Sequence, residues 1–184
     1  MKGRFRSVLR AAAATALSLA LGMGFVVVGG TSASAAGPVF ASLGSTRFDM
    51  SHGWGSATSC VVYSRTTVRC FATYAAADAS LGYSAAADPV VSAAATVPTC
   101  ASGWLCLYED INGGGRRLQF RDEYWNDLAD YAFDSETSSW RNNQGSSDTG
   151  YLALYNRSTA YPCGANSYAL SMGAYNDQAY AVWG

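Results

Sequence analysis

Six short runs rich in aromatic and aliphatic residues follow residue 97, and each is bounded by Gly, Asn, Asp or Pro. They are residues 104–108, 117–120, 138–141, 151–155, 167–170 and 179–183. Short strands at this spacing, separated by turn residues, are typical of an all-β sandwich or barrel. Within this region only residues 124–131 have a pattern that would suit a helical turn. The pattern therefore predicts an all-β domain over residues 97–184.

Three consecutive glycines interrupt the stretch LYEDINGGGRRLQF, which begins at Leu107. A phosphate-binding loop would place such glycines before a helix and would usually add a lysine. The following segment alternates as a strand instead, with Leu118 and Phe120 on one face. Asn112 and Gly113 form a strong turn signal because both residues tolerate positive φ. We therefore predict a tight β-hairpin here.

The same region is internally repeated. The run LCLY at 105–108 returns as LALY at 152–155, and FDSET at 133–137 is matched by YNDQA at 175–179. These offsets of 47 and 42 residues correspond to copies of about 40–45 residues. Two four-stranded copies would make one sandwich of two sheets.

Residues 36–96 differ in composition and are expected to form a separate extension. Residues 36–59 are rich in Gly, Ser and Ala without a sustained period, which predicts irregular or partly disordered chain. The alanine-rich run 74–86 predicts a short helix that Pro89 ends, and residues 92–96 are interpreted as a linker.

Five cysteines favour a disulfide framework in an oxidising compartment. Cys60 and Cys70 bracket a predicted hairpin, CVVYSRTTVRC, and Cys100 and Cys106 close the short loop CASGWLC. We favour the pairs Cys60–Cys70 and Cys100–Cys106 with Cys163 left over, although sequence alone permits other pairings. A zinc site is not expected, because no two cysteines have C-x-x-C spacing and the chain has one histidine.

The N-terminus has the pattern of a secretory signal peptide. A basic start is followed by an apolar run over 11–28 and by small residues up to Ala36, and we predict cleavage after Ala35. An uncleaved anchor is the alternative, since the run is nearly long enough to span a bilayer. Cleavage removes four of the twelve basic residues and none of the thirteen acids, which leaves a net charge near −5. Binding to nucleic acid or to an anionic membrane is therefore not expected of the secreted protein.

The sequence offers little for catalysis. A Ser-His-Asp or Cys-His arrangement would have to use the single histidine, His52, which lies in a low-complexity region. Paired carboxylates for glycoside hydrolysis remain open, since acids are plentiful. Trp104, Trp125, Trp140 and Trp183 could line a sugar surface, but core positions are the more common use in a small sandwich. No catalytic residue is therefore predicted.

Two signatures carry a family resemblance. Tyr108, Gly113 and Gly115 resemble the folded-hairpin pattern Tyr-x-x-x-x-aromatic-x-Gly of βγ-crystallin Greek keys, with Gly113 in the aromatic position. Residues 134–139, DSETSS, are similar to the second crystallin signature. Together with C-x5-C, LCLYED, NDLADYAFDSETSSW and NNQGSS, they make residues 98–184 resemble the Streptomyces metalloproteinase-inhibitor family. The resemblance implies a secreted βγ-crystallin-like Greek-key sandwich of two motifs.

The same resemblance implies a possible calcium site and no other cofactor. Its ligands would be Asp134, the carbonyl of Glu136 and the hydroxyl of Ser138, with Glu109 or Asp110 contributing to the other site. Ca²⁺ takes six to eight oxygen ligands, and the second copy has lost both hydroxyl positions. We therefore expect one weak site at most; the alternative is that Asp134 and Ser138 only cap turns.

The resemblance also implies a function, namely a monomeric secreted inhibitor of an extracellular protease, a metalloprotease in particular. A rigid exposed loop would carry the inhibition. The candidate loop is residues 158–166, in which Tyr161 would be an apolar anchor, Pro162 would stiffen the chain, and Cys163 and Gly164 would follow. The alternative is a non-inhibitory extracellular structural module, weakly calcium-binding, in which this segment is an ordinary surface loop.

Overall fold

The computed structural model describes residues 37–94 and 96–184, which belong to one compact unit. The predicted signal peptide, residues 1–35, lies outside the described residues. The described chain contains twelve β-strands and two short α-helices. They are β1 (Phe40–Leu43), β2 (Thr46–Asp49), β3 (Ser59–Ser64), β4 (Thr67–Phe71), α1 (Tyr74–Ser80), α2 (Pro89–Ala93), β5 (Leu105–Tyr108), β6 (Arg117–Phe120), β7 (Trp125–Asp127), β8 (Ser139–Asn142), β9 (Gly150–Leu154), β10 (Tyr161–Cys163), β11 (Ser167–Ala169) and β12 (Ala179–Trp183). None of the helices in these residues combines the length and the apolarity that a membrane span requires.

The strands after residue 97 form two Greek-key motifs that exchange one strand each. β5, β6 and β8 lie side by side in the first sheet, whereas β7, the third strand of that motif, lies in the second sheet. β9, β10 and β12 lie in the second sheet, whereas β11 lies in the first. The fourth strand of each motif returns beside its first strand, which defines a Greek key. The predicted all-β sandwich of two Greek-key motifs is confirmed.

The main core lies between the two sheets. Side chains of β5, β6, β9 and β12 alternate in direction along each strand, so every second residue points inward. The inward residues are Leu105, Leu107, Leu118, Phe120, Leu152, Leu154 and Val182, each at most 2% exposed. Burying one such side chain contributes about 1.5–3 kcal/mol, so this layer is the principal favourable contribution to stability.

The cystine hairpin β3–β4 continues the first sheet. β3 pairs in parallel with β6, with Cys60 opposite Leu118 and Val62 opposite Phe120. The full strand order of the first sheet is β11-β8-β5-β6-β3-β4-β1-β2, and that of the second sheet is β10-β9-β12-β7. Strand pairing therefore runs across residue 97, and the extension shares one sheet with the Greek-key region.

Both predicted disulfides are present. Cys60 and Cys70 lie opposite each other on β3 and β4 with their Cα atoms 4.0 Å apart. Cys100 and Cys106 close the loop before β5, with a Cα separation of 5.8 Å. Among the described residues Cys163 is the free cysteine, and it is buried.

The chain between β4 and β5 covers the outer face of the first sheet, and we call residues 72–98 the helical segment. The Thr73 hydroxyl accepts a hydrogen bond from Ala76 at 3.1 Å and so caps α1. The Asp88 carboxylate accepts one from Val90 at 3.0 Å and caps α2. Apolar side chains of the helical segment and the sheet form a second buried cluster, which includes Val61, Ala77, Cys100, Ala101, Trp104, Cys106 and Tyr108.

Two buried Arg–Asp pairs connect the helical segment to the sheet. Arg117 of β6 has no exposed surface, and its guanidinium donates to Asp78 of α1 at 2.7 Å. Arg141 of β8 donates to Asp88 at 2.7 Å. Each guanidinium also donates to a backbone carbonyl in the chain just before β5. Buried charges are tolerated when they are paired and hydrogen-bonded, so these pairs fix the position of the segment.

The expectation of irregular chain over residues 36–59 is wrong. β1 and β2 form a hairpin in which Leu43 lies opposite Thr46. Gly44 makes the turn possible because it adopts a φ of +59°. β1 also pairs in parallel with β4. Neighbouring strands thus stabilise a sequence whose own periodicity is weak.

The predicted helix over residues 74–86 is shorter than expected. α1 ends at Ser80, and Gly82 follows with a left-handed φ of +66°. Pro89 begins α2 rather than ending a helix, because a proline at the first helical position lacks only an N–H that would have no partner. The predicted linker at 92–96 therefore starts inside α2.

Two strands, β7 and β10, were not among the six predicted runs. Residues 124–131 were expected to form a helical turn; they contain β7 followed by the 3-10 helix Leu128–Tyr131. β10 lies inside the segment predicted to be an exposed loop. Each has three residues, too few for a periodic pattern, and each is held by backbone pairing with a neighbour, β12 or β9.

Candidate functional site

The glycine-rich stretch is the β5–β6 hairpin. Gly113 and Gly115 have φ values of +73° and +69°. A Cβ atom at Gly113 would lie 2.6 Å from the Pro98 side chain, and one at Gly115 would lie 2.7 Å from the Glu109 Cβ. Both positions therefore require glycine. The hairpin folds onto its own base and onto the chain before β5, as the turn signal predicted.

Two equivalent turns of the internal repeat contact each other. Ser135 and Asp177 both adopt a left-handed φ of +58°. The Ser135 N–H donates to the Ala179 carbonyl at 2.9 Å, and the Asp177 N–H donates to the Thr137 carbonyl at 3.0 Å. Each turn thus bonds to the chain that follows the other. The sequence repeat corresponds to a pseudo-twofold relation between the motifs.

Arg116 organises the acidic side chains beside these turns. Its guanidinium lies 2.9 Å from Glu109 Oε1 and 3.6 Å from Glu136 Oε2. Hydrogen bonds from Arg116 lower the pKa of Glu109. Burial raises the pKa of Glu136, and the nearby negative charges of Glu109 and Asp177 act in the same direction.

Two of the three proposed calcium ligands have another partner. The Tyr155 hydroxyl donates to the Asp134 carboxylate at 3.2 Å, and the Ser138 hydroxyl donates to Asp177 at 3.0 Å. The third proposed ligand is the backbone carbonyl of Glu136, whose side chain lies beside the Arg116 cation. No group of three or more His, Cys, Asp and Glu residues in the described part of the chain is arranged to hold a metal ion. This arrangement does not fit a site of six to eight oxygens, and calcium binding stays a prediction.

The longest exposed run within the predicted inhibitory loop is residues 158–160, between β9 and β10. The side chains before it are held in place. The Asn156 amide donates to the Ala174 carbonyl at 3.2 Å, and Arg157 Nε donates to the Thr159 hydroxyl at 3.1 Å. The segment is therefore a short exposed turn on a fixed base.

Residues 158–166 do not form one exposed loop, so that expectation is wrong. Tyr161, Pro162 and Cys163 form β10, an edge strand of the second sheet, because they pair with β9. The Tyr161 ring is half-buried, with its centroid 6.3 Å from that of Trp140. Cys163 is fully buried, and burial raises the pKa of its thiol. Gly164 is half-buried, so Pro162 is the exposed member of this set.

The four tryptophans considered as a sugar surface separate into two groups. Trp104 and Trp140 are 4% and 5% exposed and belong to the cores. Trp125 is 46% exposed on the outer face of the second sheet, and its ring lies 6.0 Å from that of Trp183. The core assignment is right for the first two residues, and the second two lie at the surface.

Sequence reasoning missed the residues that hold the exposed turn. Asn156 and Arg157 belong to the tripeptide Asn-Arg-Ser, which lies just beyond β9. An asparagine directly after a strand, followed by polar residues, is also a turn signal. That signal could have indicated where β9 ends.

Comparison with known proteins identifies a family whose model matches this part of the chain. Residues 93–183 match the model of a family described as peptidase inhibitor family I36. The matched range begins at the last residue of α2 and ends at the last residue of β12, so it contains both Greek-key motifs. No curated protein sequence is significantly similar to the chain.

Two solved structures are similar to part of the chain. One comes from work on the evolution of the eye lens βγ-crystallin domain fold; it is 14% identical over 46% of this chain and 87% of its own, with a TM-score of 0.40. The other is a βγ-crystallin from Ciona intestinalis, 21% identical over 44% of this chain and 96% of its own, with a TM-score of 0.35. The family match agrees with the resemblance found in the motifs. Over residues 93–183, which include both Greek-key motifs, the chain is therefore similar to peptidase inhibitor family I36.

Proposed function

We propose that this protein inhibits an extracellular metalloprotease, with residues 158–160 and Pro162 entering the protease cleft. The observation that carries the proposal is the match of residues 93–183 to an inhibitor family, which implies a protease partner and a non-enzymatic role. The family match specifies neither the protease class nor the inhibitory segment, so both are part of the proposal.

The segment has the properties that an inhibitor needs. A segment that is already held in one conformation loses little entropy on binding. Here β9 and β10 fix both ends, and Asn156 and Arg157 hold the turn between them. β10 is also an edge strand, but Pro162 at its centre has no N–H to offer a further strand, so the exposed turn and the Pro162 ring would make the contact.

The protein would act outside the cytoplasm as a monomer. Its two disulfides need an oxidising compartment to persist. The signal-peptide pattern of residues 1–35 would direct the chain to such a compartment.

The test is a titration of the secreted protein against a thermolysin-like protease, with a chymotrypsin-like protease as the comparator. Stoichiometric inhibition of the metalloprotease alone is expected. Mass spectrometry should find the protein intact or cut once between Ser158 and Asn166. Inhibition of the serine protease instead would reject the proposed target class.

A pair of matched variants locates the inhibitory segment. Ala160→Asp introduces a charge into the exposed turn, whereas Ser147→Asp introduces the same charge into another exposed turn, residues 145–148. Ala160→Asp should weaken inhibition by about tenfold or more, an effect of about 1.4 kcal/mol, and Ser147→Asp should leave it unchanged. Equal effects would place the contact elsewhere on the molecule.

If the protein inhibits neither protease, the second candidate is favoured, namely a non-inhibitory extracellular βγ-crystallin-like structural module. A ligand that binds only the folded state raises the melting temperature. A rise on adding calcium, abolished by Asp134→Asn, would support weak calcium binding. An unchanged melting temperature would reject it.

A further inference from the structure

We propose that the outer face of the second sheet binds a neutral oligosaccharide. The binding surface, here called the aromatic face, consists of Trp125, Tyr151, Tyr155, Tyr180 and Trp183 together with the groove between them. This activity goes beyond protease inhibition and is tested separately from it, although residues 158–160 of the proposed inhibitory segment also line the groove.

Four of the five aromatic rings are exposed, Trp183 is half-buried, and strand pairing sets the order of Trp125, Trp183 and Tyr151. Trp183 of β12 lies directly between Trp125 of β7 and Tyr151 of β9. Beyond this row, the rings of Tyr155 and Tyr180 lie 4.9 Å apart. Trp125 is 46% exposed and Tyr155 is 64% exposed. Rings that served only to form the core would be buried, so their exposure calls for another role.

A β-bulge in β12 creates this arrangement. Ala179 pairs with Leu154 and Ala181 pairs with Ala153, which leaves Tyr180 as the extra residue. A bulge re-aims the side chains that follow it. Tyr180 is exposed and Val182 is fully buried, so Trp183 lies on the outer side. An unbulged strand would have directed Trp183 to the same side as the buried Ala179, because direction alternates with every residue.

A groove of about 370 Å³ separates the two groups of rings. Trp125 and Tyr180 border it, and Ala153 and Ala181 form much of its floor. Tyr180 and Trp183 lie about 10 Å apart along β12 at roughly 3.3 Å per residue. This spacing is on the scale of a disaccharide, so rings at both ends can contact one glycan chain.

The rim of the groove supplies hydrogen-bonding groups of both kinds. Ser158 and Thr159 hydroxyls and the Arg157 guanidinium line it, and Asp127 follows Trp125 on the exposed side of β7. Beside the groove one positive and one negative side chain balance each other, which suits an uncharged ligand, and the further carboxylate of Asp134 accepts a hydrogen bond from the Tyr155 hydroxyl. Hydroxyl groups at the edge of a sugar ring can both donate to and accept from such groups.

The apolar part of the face is aromatic rather than aliphatic. The large exposed aliphatic side chains in the described residues, Val90 and Ile111, lie on α2 and in the β5–β6 hairpin. Flat rings beside a floor of alanine match the flat C–H faces of a pyranose. Binding sites of this kind combine an apolar lining with a few placed polar groups. Aromatic rings, a floor of small residues and a few placed polar groups together suit a sugar ligand.

The test measures binding of cellohexaose, N-acetylchitohexaose and maltohexaose to the secreted protein by calorimetry and tryptophan fluorescence. Saturable binding of at least one hexasaccharide is expected. Trp125→Ala should weaken it by about tenfold or more, as the loss of one aromatic contact predicts. Tyr155→Ala should also weaken it, and it serves as the second variant in case Trp125→Ala does not fold.

Tyr168→Ala is the matched control. Tyr168 is 42% exposed on β11, in the first sheet, and it is not part of the aromatic face. This variant should bind as the wild type does. Failure of all three hexasaccharides to bind the wild-type protein would overturn the proposal. Equal weakening by Tyr168→Ala, or binding that survives both face variants, would overturn it as well.

Discussion

The outer face of the first sheet is covered by chain over its central strands, whereas the outer face of the second sheet is open to solvent. The covered face carries Arg117, Gln119 and Arg141, all at most 3% exposed. The open face carries Trp125 and Tyr180, which are 46% and 39% exposed. Polar side chains are thus buried on one side and aromatic ones exposed on the other. The polar side chains of the first sheet are used in internal hydrogen bonds. The aromatic side chains of the second sheet remain available for external contacts.

Covalent cross-links follow the same division. Both disulfides involve the first sheet, through Cys60, Cys70 and Cys106. In the second sheet the cysteine is Cys163, which is free. The first sheet with its helical segment is therefore the reinforced part of the molecule. The comparison can be tested by changing single groups on each side.

The largest effect is expected for Arg117→Met. This change leaves Asp78 buried without its cation, and breaking such a pair costs about 3–5 kcal/mol of unfolding free energy. Urea unfolding should show that loss. The double variant Arg117→Met/Asp78→Leu should recover much of it, because no unpaired charge remains.

Arg69→Met is the control, since Arg69 is exposed on β4. Its effect should stay within about 1 kcal/mol. If Arg117→Met had an equally small effect, the helical segment would not depend on its ion pair.

Removal of the β3–β4 cross-link should have the next largest effect. Cys60→Ala/Cys70→Ala frees a loop with a sequence separation of 10, which should lower the free energy of unfolding by about 2–3 kcal/mol. Calorimetry would measure the shift in melting temperature. Cys163→Ala removes one buried sulfur without freeing a loop and should cost less; a greater loss than for the double variant would contradict the division into a reinforced and an unreinforced sheet.

Acidification should lower the stability of the first sheet and its helical segment, because carboxylates with lowered pKa values lie there. Hydrogen bonds from Arg116 lower the pKa of Glu109. Burial raises the pKa of Asp88, but hydrogen bonds from Tyr83 and Arg141 outweigh it, and the net shift is downward. The unfolded chain therefore takes up protons first as the pH falls. Stability is complete above the ordinary carboxyl pKa of about 4–4.5 and is lost as the pH falls through the lowered values.

Unfolding in urea between neutral pH and pH 3 would measure this loss. Glu109→Gln should flatten the profile, because it removes one of the lowered pKa values. Glu136→Gln should steepen the loss of stability with falling pH. Burial raises the pKa of Glu136, so its charged form opposes folding and its protonation at low pH favours folding in the wild type. A steeper profile in Glu109→Gln would show that the sign is wrong.

The smallest effects compare one tyrosine from each side. The Tyr74 hydroxyl of the helical segment donates to the Gly115 carbonyl at 2.8 Å. Tyr74→Phe should cost about 0.5–1.5 kcal/mol. Tyr155 is 64% exposed, and Tyr155→Phe should change stability by less than about 0.5 kcal/mol. Chemical denaturation of both variants decides the order, and a reversed order would break the comparison.

The sequence predicted the parts of the fold that depend on local pattern. The strands at 117–120 and 179–183 have the predicted bounds, and both disulfides link cysteines that are close in sequence. The parallel pairing of β3 with β6 has no local signal, because it joins residues that are far apart in the chain. Composition therefore suggested an extension where the structure has a continuous sheet.

The candidate site was less predictable for two physical reasons. β10 is too short to show a period, so Tyr161 and Cys163 were assigned to a loop although they pair with β9. The bulge at Tyr180 changes which side of the sheet the later residues face, and simple alternation does not predict it. Trp183 could therefore not be distinguished from a core tryptophan such as Trp140 by sequence.

The exchange of β7 and β11 between the motifs has a consequence for survival among proteases. The exposed turn at residues 145–148 joins the two motifs, and a cut there would sever the chain. The two fragments would still be interleaved, because each sheet contains strands from both. Separating them would require breaking strand pairing in both sheets. A molecule that has been nicked at this turn therefore stays assembled.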